Sequence, residues 1–478
     1  MRWTSLAAAA LLSVAFAAPA LASPSDDASL EARLSRVEQA LTGCAAPSAR
    51  ETQSAVDSYL ASARQDASLV GGPGEAGYDH GFWIRGGSFL LKAHLTIQSR
   101  YEAFDWKDDP VEIASSDNGD LSGFSVPRLT LRLVGEASCN VRWWFEVEFG
   151  HHGDISEVPG DRDSLGTFLG GAYGGQDGGS GAQVYEAWIE YEWCRSLVVQ
   201  MGLVKTPATR QLMTPPEKQQ FVDVSLASAF VGTVMPGYAG RNWDYGILVH
   251  GQFSCPDTLS YQAGITNGDG FPRRNVFDSS SDDNLAYSAR VNWDWLGRMG
   301  YEEGALRQNE CEWCASVGAW IHHFADPARD HPHTKFADRT TWGVDGALGY
   351  GGWSLTAAYS GVTFSNSQTG NDFDGSSWLV QAGYLFCGTP WEVAARYDRY
   401  ALNDIGGFLP GPTGDYGASE FGFALNYYVD GHNDKLTLDA SFVTANDHGN
   451  PFADVFAGYH ATSTSDATLI RFQWQLFL

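Results

Sequence analysis

The sequence predicts an all-β protein whose main part is a sixteen-stranded antiparallel transmembrane β-barrel. Three observations favour this fold class: apolar and polar residues alternate along short segments, long and short connections alternate between them, and the composition is unusual. Of 478 residues, 18% are charged, 13% are aromatic and 54 are glycine. Runs of about 18 apolar residues are missing, so membrane-spanning helices are not expected. A closed sheet of half-apolar strands fits these features.

The alternation is clearest in the segment that begins at Phe89. Phe89 and Leu91 fall on one face of a strand, whereas Lys92 and His94 fall on the other, because strand side chains have a period of two. The strands of a soluble β-sandwich also alternate apolar and polar residues, so one strand does not distinguish the two folds. The evidence for a barrel is that the pattern recurs along the chain. The same pattern recurs at 128–133, 141–149, 185–192 and 468–478.

The connections are sorted by length from residue 84 onward. Outer-membrane barrels have short periplasmic turns and long outer loops, whereas a sandwich has no reason to sort its loops. Among the connections expected to be short, only the region 297–312 is long. The tight turns are 138–140, 194–195, 254–257, 351–352, 387–388 and 430–433. The long links are 105–123, 151–182, 205–242, 268–284, 324–338, 365–374, 401–415 and 447–465.

The N-terminal region divides into three segments before the barrel, which we predict over 83–478. Residues 1–22 combine a basic start, an apolar run and the small residues Ala20 to Ala22, which is typical of a cleaved signal peptide. An uncleaved anchor is the weaker alternative, because the apolar run is too short to span a bilayer. Residues 44–82 are predicted to be a linker.

Residues 23–43 form a predicted helix with a short coiled-coil pattern. Leu30, Leu34, Val37 and Leu41 are spaced as in a heptad repeat. Two heptads are too short to be stable alone, so the helix needs a partner. Three copies could meet in a trimer, or the helix could lie against its own barrel, and the sequence leaves both open.

The formal net charge of −27 argues against nucleic acid as a partner, since its phosphates would repel the chain. Long acidic loops that keep the protein soluble explain the charge most simply. Bridging of these loops by divalent cations to outer-membrane lipid is the alternative.

Charged residues on the polar faces of the strands are the candidate pore-lining residues. In a water-filled lumen, opposed basic and acidic rows set up a transverse field that orients polar solutes. The alternative is that they pair across neighbouring strands and stiffen the wall. The candidates are Arg100, Arg128, Arg132, Arg142, Glu146, Glu148, Glu186 and Glu190.

The cysteines all fall on the predicted periplasmic side. That compartment is oxidising, so neighbouring turns could be joined by disulfides, for instance Cys139 to Cys194. Connectivity cannot be read from sequence, and the odd number leaves one thiol over. The seven are Cys44, Cys139, Cys194, Cys255, Cys311, Cys314 and Cys387.

Features that would indicate a metal, a cofactor or an enzyme are weak. A group of histidines and aspartates lies around 322–333, but its spacing matches no defined site and a solvated loop is favoured. The chain has no Gly-x-Ser-x-Gly elbow and no phosphate-binding glycine loop. We therefore predict neither catalytic activity nor a cofactor or metal.

Part of the chain resembles the phosphate-selective porin O/P family. The similar stretches are 202–207, 210–211, 218–226, 244–251 and 261–270. The resemblance implies a trimeric sixteen-stranded porin whose third outer loop folds into the lumen and narrows it. That loop corresponds to 205–242, and its basic residues are Lys205, Arg210, Lys218 and Arg241.

The resemblance implies an outer-membrane porin for passive diffusion of small hydrophilic solutes or ions. A non-conducting barrel that tethers the membrane to the cell wall is the alternative. Phosphate-selective members line their pore with basic residues, whereas this chain has 30 Lys and Arg against 57 Asp and Glu. The acidic wall argues against anion selectivity, so solute preference stays open.

Overall fold

The computed structural model describes most of the chain from residue 75 onward. Every described residue lies in the second of the two compact units, Gln65–Leu478. The predicted signal peptide and N-terminal helix lie outside the described residues. The described ranges are 75–79, 81–106, 121–150, 183–234, 242–254, 258–268, 285–306, 313–325, 338–365, 372–403, 416–445 and 466–478.

Two short strands precede the barrel. β1 (Glu75–Tyr78) pairs with β2 (Phe82–Gly86), and β2 pairs with the first five residues of the next strand. β1 falls within 44–82, the segment in which the sequence predicts a linker. β2 and the next strand form a hairpin through Gly87 and Ser88.

Sixteen further strands form the barrel, and each pairs antiparallel with the next in the chain. The last strand also pairs with the first, from Ala467 opposite Trp106 to Phe477 opposite Thr96. The sheet is therefore closed, as the sequence predicts. The strands are β3 (Phe89–Trp106), β4 (Leu121–Ser138), β5 (Val141–Glu148), β6 (Gln183–Cys194), β7 (Leu197–Lys205), β8 (Trp243–Ser254), β9 (Thr258–Thr266), β10 (Ala286–Leu296), β11 (Cys314–Ala325), β12 (Asp338–Tyr350), β13 (Trp353–Ser365), β14 (Asp372–Leu385), β15 (Trp391–Asn403), β16 (Tyr416–Asp430), β17 (Asp434–Ala445) and β18 (Ala467–Phe477).

The strand bounds confirm the alternation of short and long connections. Tight turns such as 139–140, 195–196 and 351–352 lie at one edge of the barrel, which we call the short-turn edge. Gly351 and Gly352 have φ values of +53° and +88°, and only glycine adopts these without strain. The link between β10 and β11 is the long exception at this edge, as its sequence predicts.

Burial in the barrel is the inverse of that in a soluble protein. Large apolar side chains point outward, and Val344, Phe423 and Ile470 are 48%, 47% and 49% exposed. Polar and charged side chains point inward, and Arg471 and Gln475 are fully buried. Apolar residues normally fill a protein interior. An apolar outer face around a polar interior is the pattern of a barrel surrounded by lipid.

The chain between β7 and β8 enters the barrel. It contains α1 (Arg210–Met213), a 3₁₀ turn (Pro216–Lys218) and α2 (Leu226–Val234). We call residues 206–234 the luminal segment. Phe230 stacks on Tyr400 of β15 with ring centroids 4.9 Å apart. Within the described ranges, helices of the length and apolarity needed to cross a bilayer do not occur.

We expect a charge on the outer face to destabilise the barrel. Phe423→Arg, at the middle of β16, should lower the free energy of unfolding by about 2–4 kcal/mol, because the arginine would face hydrocarbon. The measurement is denaturant unfolding in lipid vesicles, with Phe423→Leu as the control that keeps an apolar side chain. Equal stability of the two variants would show that this face does not contact lipid.

Candidate functional site

Carboxylates of the barrel wall bind the start of α2. The backbone N–H of Ala227 donates to Asp398 Oδ1 at 2.9 Å, and that of Leu226 donates to Glu420 Oε2 at 3.4 Å. The first N–H groups of a helix have no partner within the helix, and the helix dipole favours negative charge there. The wall therefore supplies the N-terminal cap that the luminal segment needs.

The start of α1 is bound in the same way. Asp345 of β12 accepts the backbone N–H of Arg210 at 3.0 Å and also forms two 2.7 Å hydrogen bonds with Arg290 of β10. Arg290 donates to the carbonyl oxygen of Ala208 at 2.7 Å. A bidentate Arg–carboxylate pair has a fixed geometry, so it holds this end of the luminal segment against β10 and β12.

Asp223 anchors the middle of the luminal segment among four arginines. Its carboxylate lies 2.8 Å from Arg100, 2.9 Å from Arg471 and 3.5 Å from Arg128. Its carbonyl oxygen accepts a 2.8 Å hydrogen bond from Arg396. Burial alone would raise the pKa of Asp223, but the arginine charges outweigh it and hold that pKa well below its usual range.

A second segment reaches the lumen from the short-turn edge. It comprises residues 299–306 of the β10–β11 link, and we call it the turn segment. Its Glu303 accepts hydrogen bonds from Gln220 N at 2.8 Å and from Gln211 Nε2 and Gln381 Nε2, each at 2.9 Å. Its backbone N–H donates to Lys218 O at 3.0 Å. The two segments thus contact each other inside the barrel.

These contacts are unevenly distributed around the wall. The luminal segment bonds to β3, β4 and β10–β18, whereas among the described residues no hydrogen bond joins 209–228 to β5–β9. A cavity of about 470 Å³ lies along β5–β10 and is lined by Arg142, His250, Gln262 and Tyr301, among others. Most of these residues lie near the short-turn edge, so the cavity is located toward that end of β5–β9.

The inward faces of β5 and β6 carry aromatic and charged residues in register. Trp144 lies directly opposite Trp188, and their rings are 5.7 Å apart and nearly parallel, at 14°. Arg142 lies opposite Glu190, and the pair is 2.6 Å apart. His250 Nε2 is 3.2 Å from the same glutamate. Arg142, Glu190 and His250 therefore lie on the same face of the sheet.

The sequence-predicted acids and arginines form several different contacts. Arg132 connects the wall to the luminal segment, since it lies 2.8 Å from Glu146 and 2.9 Å from Glu217. Glu148 instead accepts hydrogen bonds from Leu129 N and Thr130 Oγ1, at 2.6 Å and 2.7 Å. Arg132 therefore meets the luminal segment, whereas Glu148 binds its neighbouring strand.

The four basic residues predicted for the third loop do not form one group. Lys205 ends β7 and its Nζ lies 5.8 Å from the Trp243 ring centroid. Arg210 is buried, whereas Lys218 is 36% exposed and 3.9 Å from Glu302. Burial lowers the pKa of Arg210 from its usual value. Arg241 lies outside the described residues.

Several charged residues that contact the luminal segment were not among the predicted site residues. They lie on inward strand positions, so the same alternation that identified Arg100 could have indicated them. Sequence spacing does not show which of them meet the luminal segment. They are Arg290, Asp345, Arg396, Asp398, Glu420, Asp439 and Arg471, together with Asp223 of the segment itself.

Cys139 and Cys194, the example given of a possible disulfide between neighbouring turns, are not joined. Both residues have free thiols, as does Cys387, and Cys314 begins β11. Cys194 lies opposite Leu197 in its own hairpin, and its sulfur is 3.3 Å from Ser196 Oγ. Its side chain is therefore engaged by its own turn. The remaining cysteines lie outside the described residues.

The histidines at the end of β11 do not share a face. His322 is buried inside the barrel, whereas the next residue, His323, is exposed. Residues 326–337, which contain the other members of this group, lie outside the described ranges. Across the described part of the chain, no three His, Cys, Asp or Glu residues are arranged to hold a metal ion.

The described chain is a closed barrel with an apolar outer face and a charged lumen that holds an inserted segment. Residues 330–476 match the family "Phosphate-selective porin O and P", so the resemblance predicted from sequence is confirmed. The match lies in the C-terminal part, and the expectation that it is confined to 200–270 is wrong. No curated protein matches the chain significantly in sequence.

Solved structures with a similar fold are outer-membrane proteins. The anion-selective porin from Comamonas acidovorans has 12% identity and a TM-score of 0.51, over 82% of this chain and 100% of that porin. OprB of Pseudomonas putida has 9% identity and a TM-score of 0.48, over 81% and 94%. The trimer form of OmpT from Vibrio cholerae has 10% identity and a TM-score of 0.47, over 81% and 99%.

These findings support a porin role. The family match and the barrel fold imply a location in the outer membrane, and they indicate a channel rather than an enzyme. At 12% identity the structural likeness shows the fold alone, so the selectivity of the Comamonas porin is a property of that protein.

We expect Asp223→Asn to release the luminal segment. Removing one partner of a buried ion pair costs about 3–5 kcal/mol, because the other charges stay buried without compensation. Hydrogen exchange of residues 206–234, read by mass spectrometry, should become faster. Lys218→Gln is the control, since an exposed pair contributes at most about 1 kcal/mol. Equal protection in both variants would contradict the anchoring role of Asp223.

The ion pairs of Asp223 also predict how the stability of the luminal segment depends on pH. Because the pKa of Asp223 is lower in the folded protein than in the unfolded chain, its stabilising contribution is complete above about pH 4 and is lost as pH falls toward the folded value. Burial would raise the pKa of Glu217, but Arg132 lowers it, so Glu217 acts in the same direction. The hydrogen-exchange protection of residues 206–234 should therefore stay constant from pH 8 to pH 5. Loss of protection between pH 8 and pH 6 would be inconsistent with this assignment.

Proposed function

We propose that the protein is a passive diffusion porin whose passage follows β5–β9 and is narrowed by the loop 205–242. The observation that carries this proposal is the one-sided docking of the luminal segment. Residues 208–228 form hydrogen bonds and ion pairs with β3, β4 and β10–β18, and the cavity of about 470 Å³ lies along β5–β10. Small hydrophilic solutes and ions would cross along this wall.

The charges beside this passage favour cations and neutral solutes over anions. The carboxylates of the filled side bind backbone N–H groups and arginines, so they contribute little free charge. Along β4–β7 and the adjoining 3₁₀ turn there are seven carboxylates and five cations, and the excess of negative charge would repel an anion. Phosphate selectivity therefore does not carry over from the family. The groups are Glu136, Glu146, Glu148, Glu186, Glu190, Glu192 and Glu217 against Arg128, Arg132, Arg142, Lys205 and Lys218.

The assembly and orientation are part of the same proposal. The short-turn edge faces the periplasm, because outer-membrane barrels have their short turns there. Residues 1–22 direct export as a signal peptide. The protein forms a trimer, as the resemblance to the porin family implies, and the helix 23–43 lies on the periplasmic side.

The decisive experiment is single-channel recording in planar lipid bilayers. We expect discrete conductance steps in KCl, whereas a sealed barrel that only tethers the membrane would give none. In a KCl gradient the reversal potential should show cation preference. Glu192→Gln should reduce that preference, because this half-exposed carboxylate lines the cavity. Strong anion preference of the unmodified protein would refute the proposed role of the acidic wall.

A further inference from the structure

A row of stacked side chains crosses the wall of the proposed passage. Trp144 of β5 and Trp188 of β6 lie opposite each other, and on β7 the residue opposite Trp188 is Gly202. On β8 the residue opposite Gly202 is Gly246. β7 and β8 therefore contribute no side chain at this level of the wall, and both indoles are partly exposed in a lumen whose inward residues are mostly buried.

One end of this row already holds a cation. The guanidinium carbon of Arg132 lies 5.0 Å from the Trp144 ring centroid. Its charge is paired with Glu146 at 2.8 Å and Glu217 at 2.9 Å. A cation over an indole face is attracted by the ring electrons, and a carboxylate beside the ring adds to this attraction.

The other end has the same chemistry without the cation. The indole N–H of Trp188 donates to Glu186 at 3.0 Å, as the indole N–H of Trp144 donates to Glu146 at 3.2 Å. Glu186 also accepts the indole N–H of Trp243 at 3.1 Å. Within the part of the chain that the structure describes, Glu186 has no ion pair within 4.0 Å.

Nearby cations of the protein are engaged elsewhere. Lys205 contributes positive potential to Glu186, but its ammonium lies over the ring of Trp243, 5.8 Å from the centroid. Arg142 is bonded to Glu190 and Glu192, at 2.6 Å and 3.0 Å. Neither of them supplies Trp188 with the partner that Arg132 gives to Trp144.

We propose that Trp188 and Glu186 form a binding subsite for organic cations, in which a guanidinium or alkylammonium group stacks on the indole and pairs with the carboxylate. A carboxylate accepts several hydrogen bonds, so Glu186 keeps acceptor capacity beyond its two indole donors. An anion would be repelled, and a neutral sugar would leave the charge of Glu186 unused. The subsite rests on the proposed passage, since its ligand reaches it through the lumen.

The test uses the full-length protein in planar bilayers with guanidinium chloride at millimolar concentration in KCl. We expect guanidinium to reduce the current in a saturable manner, and glucose and inorganic phosphate at equal concentration to have no such effect. Trp188→Leu and Glu186→Gln should each weaken guanidinium block by about tenfold. Trp193→Leu, on the outer face of the same strand β6 and five residues from Trp188, should leave the block unchanged.

Calorimetry of guanidinium binding to the detergent-solubilised protein separates the two proposals. If the protein gives conductance steps in KCl but does not bind guanidinium, the cation subsite is wrong and the porin function stands. If the protein binds guanidinium in a manner that depends on Trp188 but gives no conductance steps, the subsite stands and the porin function is wrong. Saturable block by glucose would instead assign the tryptophan face to hydroxylated solutes and overturn the cation assignment. Steps of normal size in both luminal variants show that they are folded.

Discussion

The arrangement of the lumen depends on mutual neutralisation between the barrel wall and the luminal segment. Asp223 of the segment lies among the arginines of β3, β4, β15 and β18, and wall carboxylates bind backbone N–H groups of the segment. A buried charge is costly unless it is paired and hydrogen-bonded. Removing the segment would leave the arginine cluster and several carboxylates without these partners, so neither part is stable in this form without the other.

This dependence gives the two sides of the lumen different roles. Where the segment docks, charges compensate one another and side chains such as Arg396 and Asp439 are buried. Along β5–β9 the wall keeps partly exposed tryptophans, glutamates and His250. The turn segment strengthens the division, because Glu303 binds the luminal segment from the short-turn edge. In the proposed passage, the charge that a solute meets is that of β5–β9, and the overall composition of the lumen is a poor guide to it.

The sequence predicts the barrel well because its determinants are local. A period of two assigns each side chain to a face, and the lengths of the connections distinguish the two edges. Glu146 and Glu186 were placed on polar strand faces by this reasoning, and Trp144 and Trp188 share those faces because each lies two residues from one of the glutamates. Even the one long turn, between β10 and β11, was visible as an exception, although its entry into the lumen was not.

The contacts inside the lumen could not be predicted, because they join residues far apart in the chain. Asp223 and Arg471 are 248 positions apart. Alternation assigns Arg471 to a strand face, but it says nothing of Asp223, which lies in the luminal segment. Disulfide pairing was left open for a related reason, and Cys139 and Cys194 are not joined: neighbouring turns indicate proximity, but the direction of each side chain is set by its own hairpin. Opposed charges on paired strands were recognised, whereas pairs between wall and segment were not.

Cysteine accessibility under voltage tests the division of the lumen most directly. In a variant whose seven native cysteines are replaced by serine, single cysteines are introduced at Gln252 and Gln262 beside the cavity, and at Ser377 and Ser441 on the filled side. A charged thiol reagent should reduce the current rapidly at the first two positions and leave the other two unmodified. Rapid block at Ser377 and Ser441 would contradict a lumen that is filled on one side and open along β5–β9.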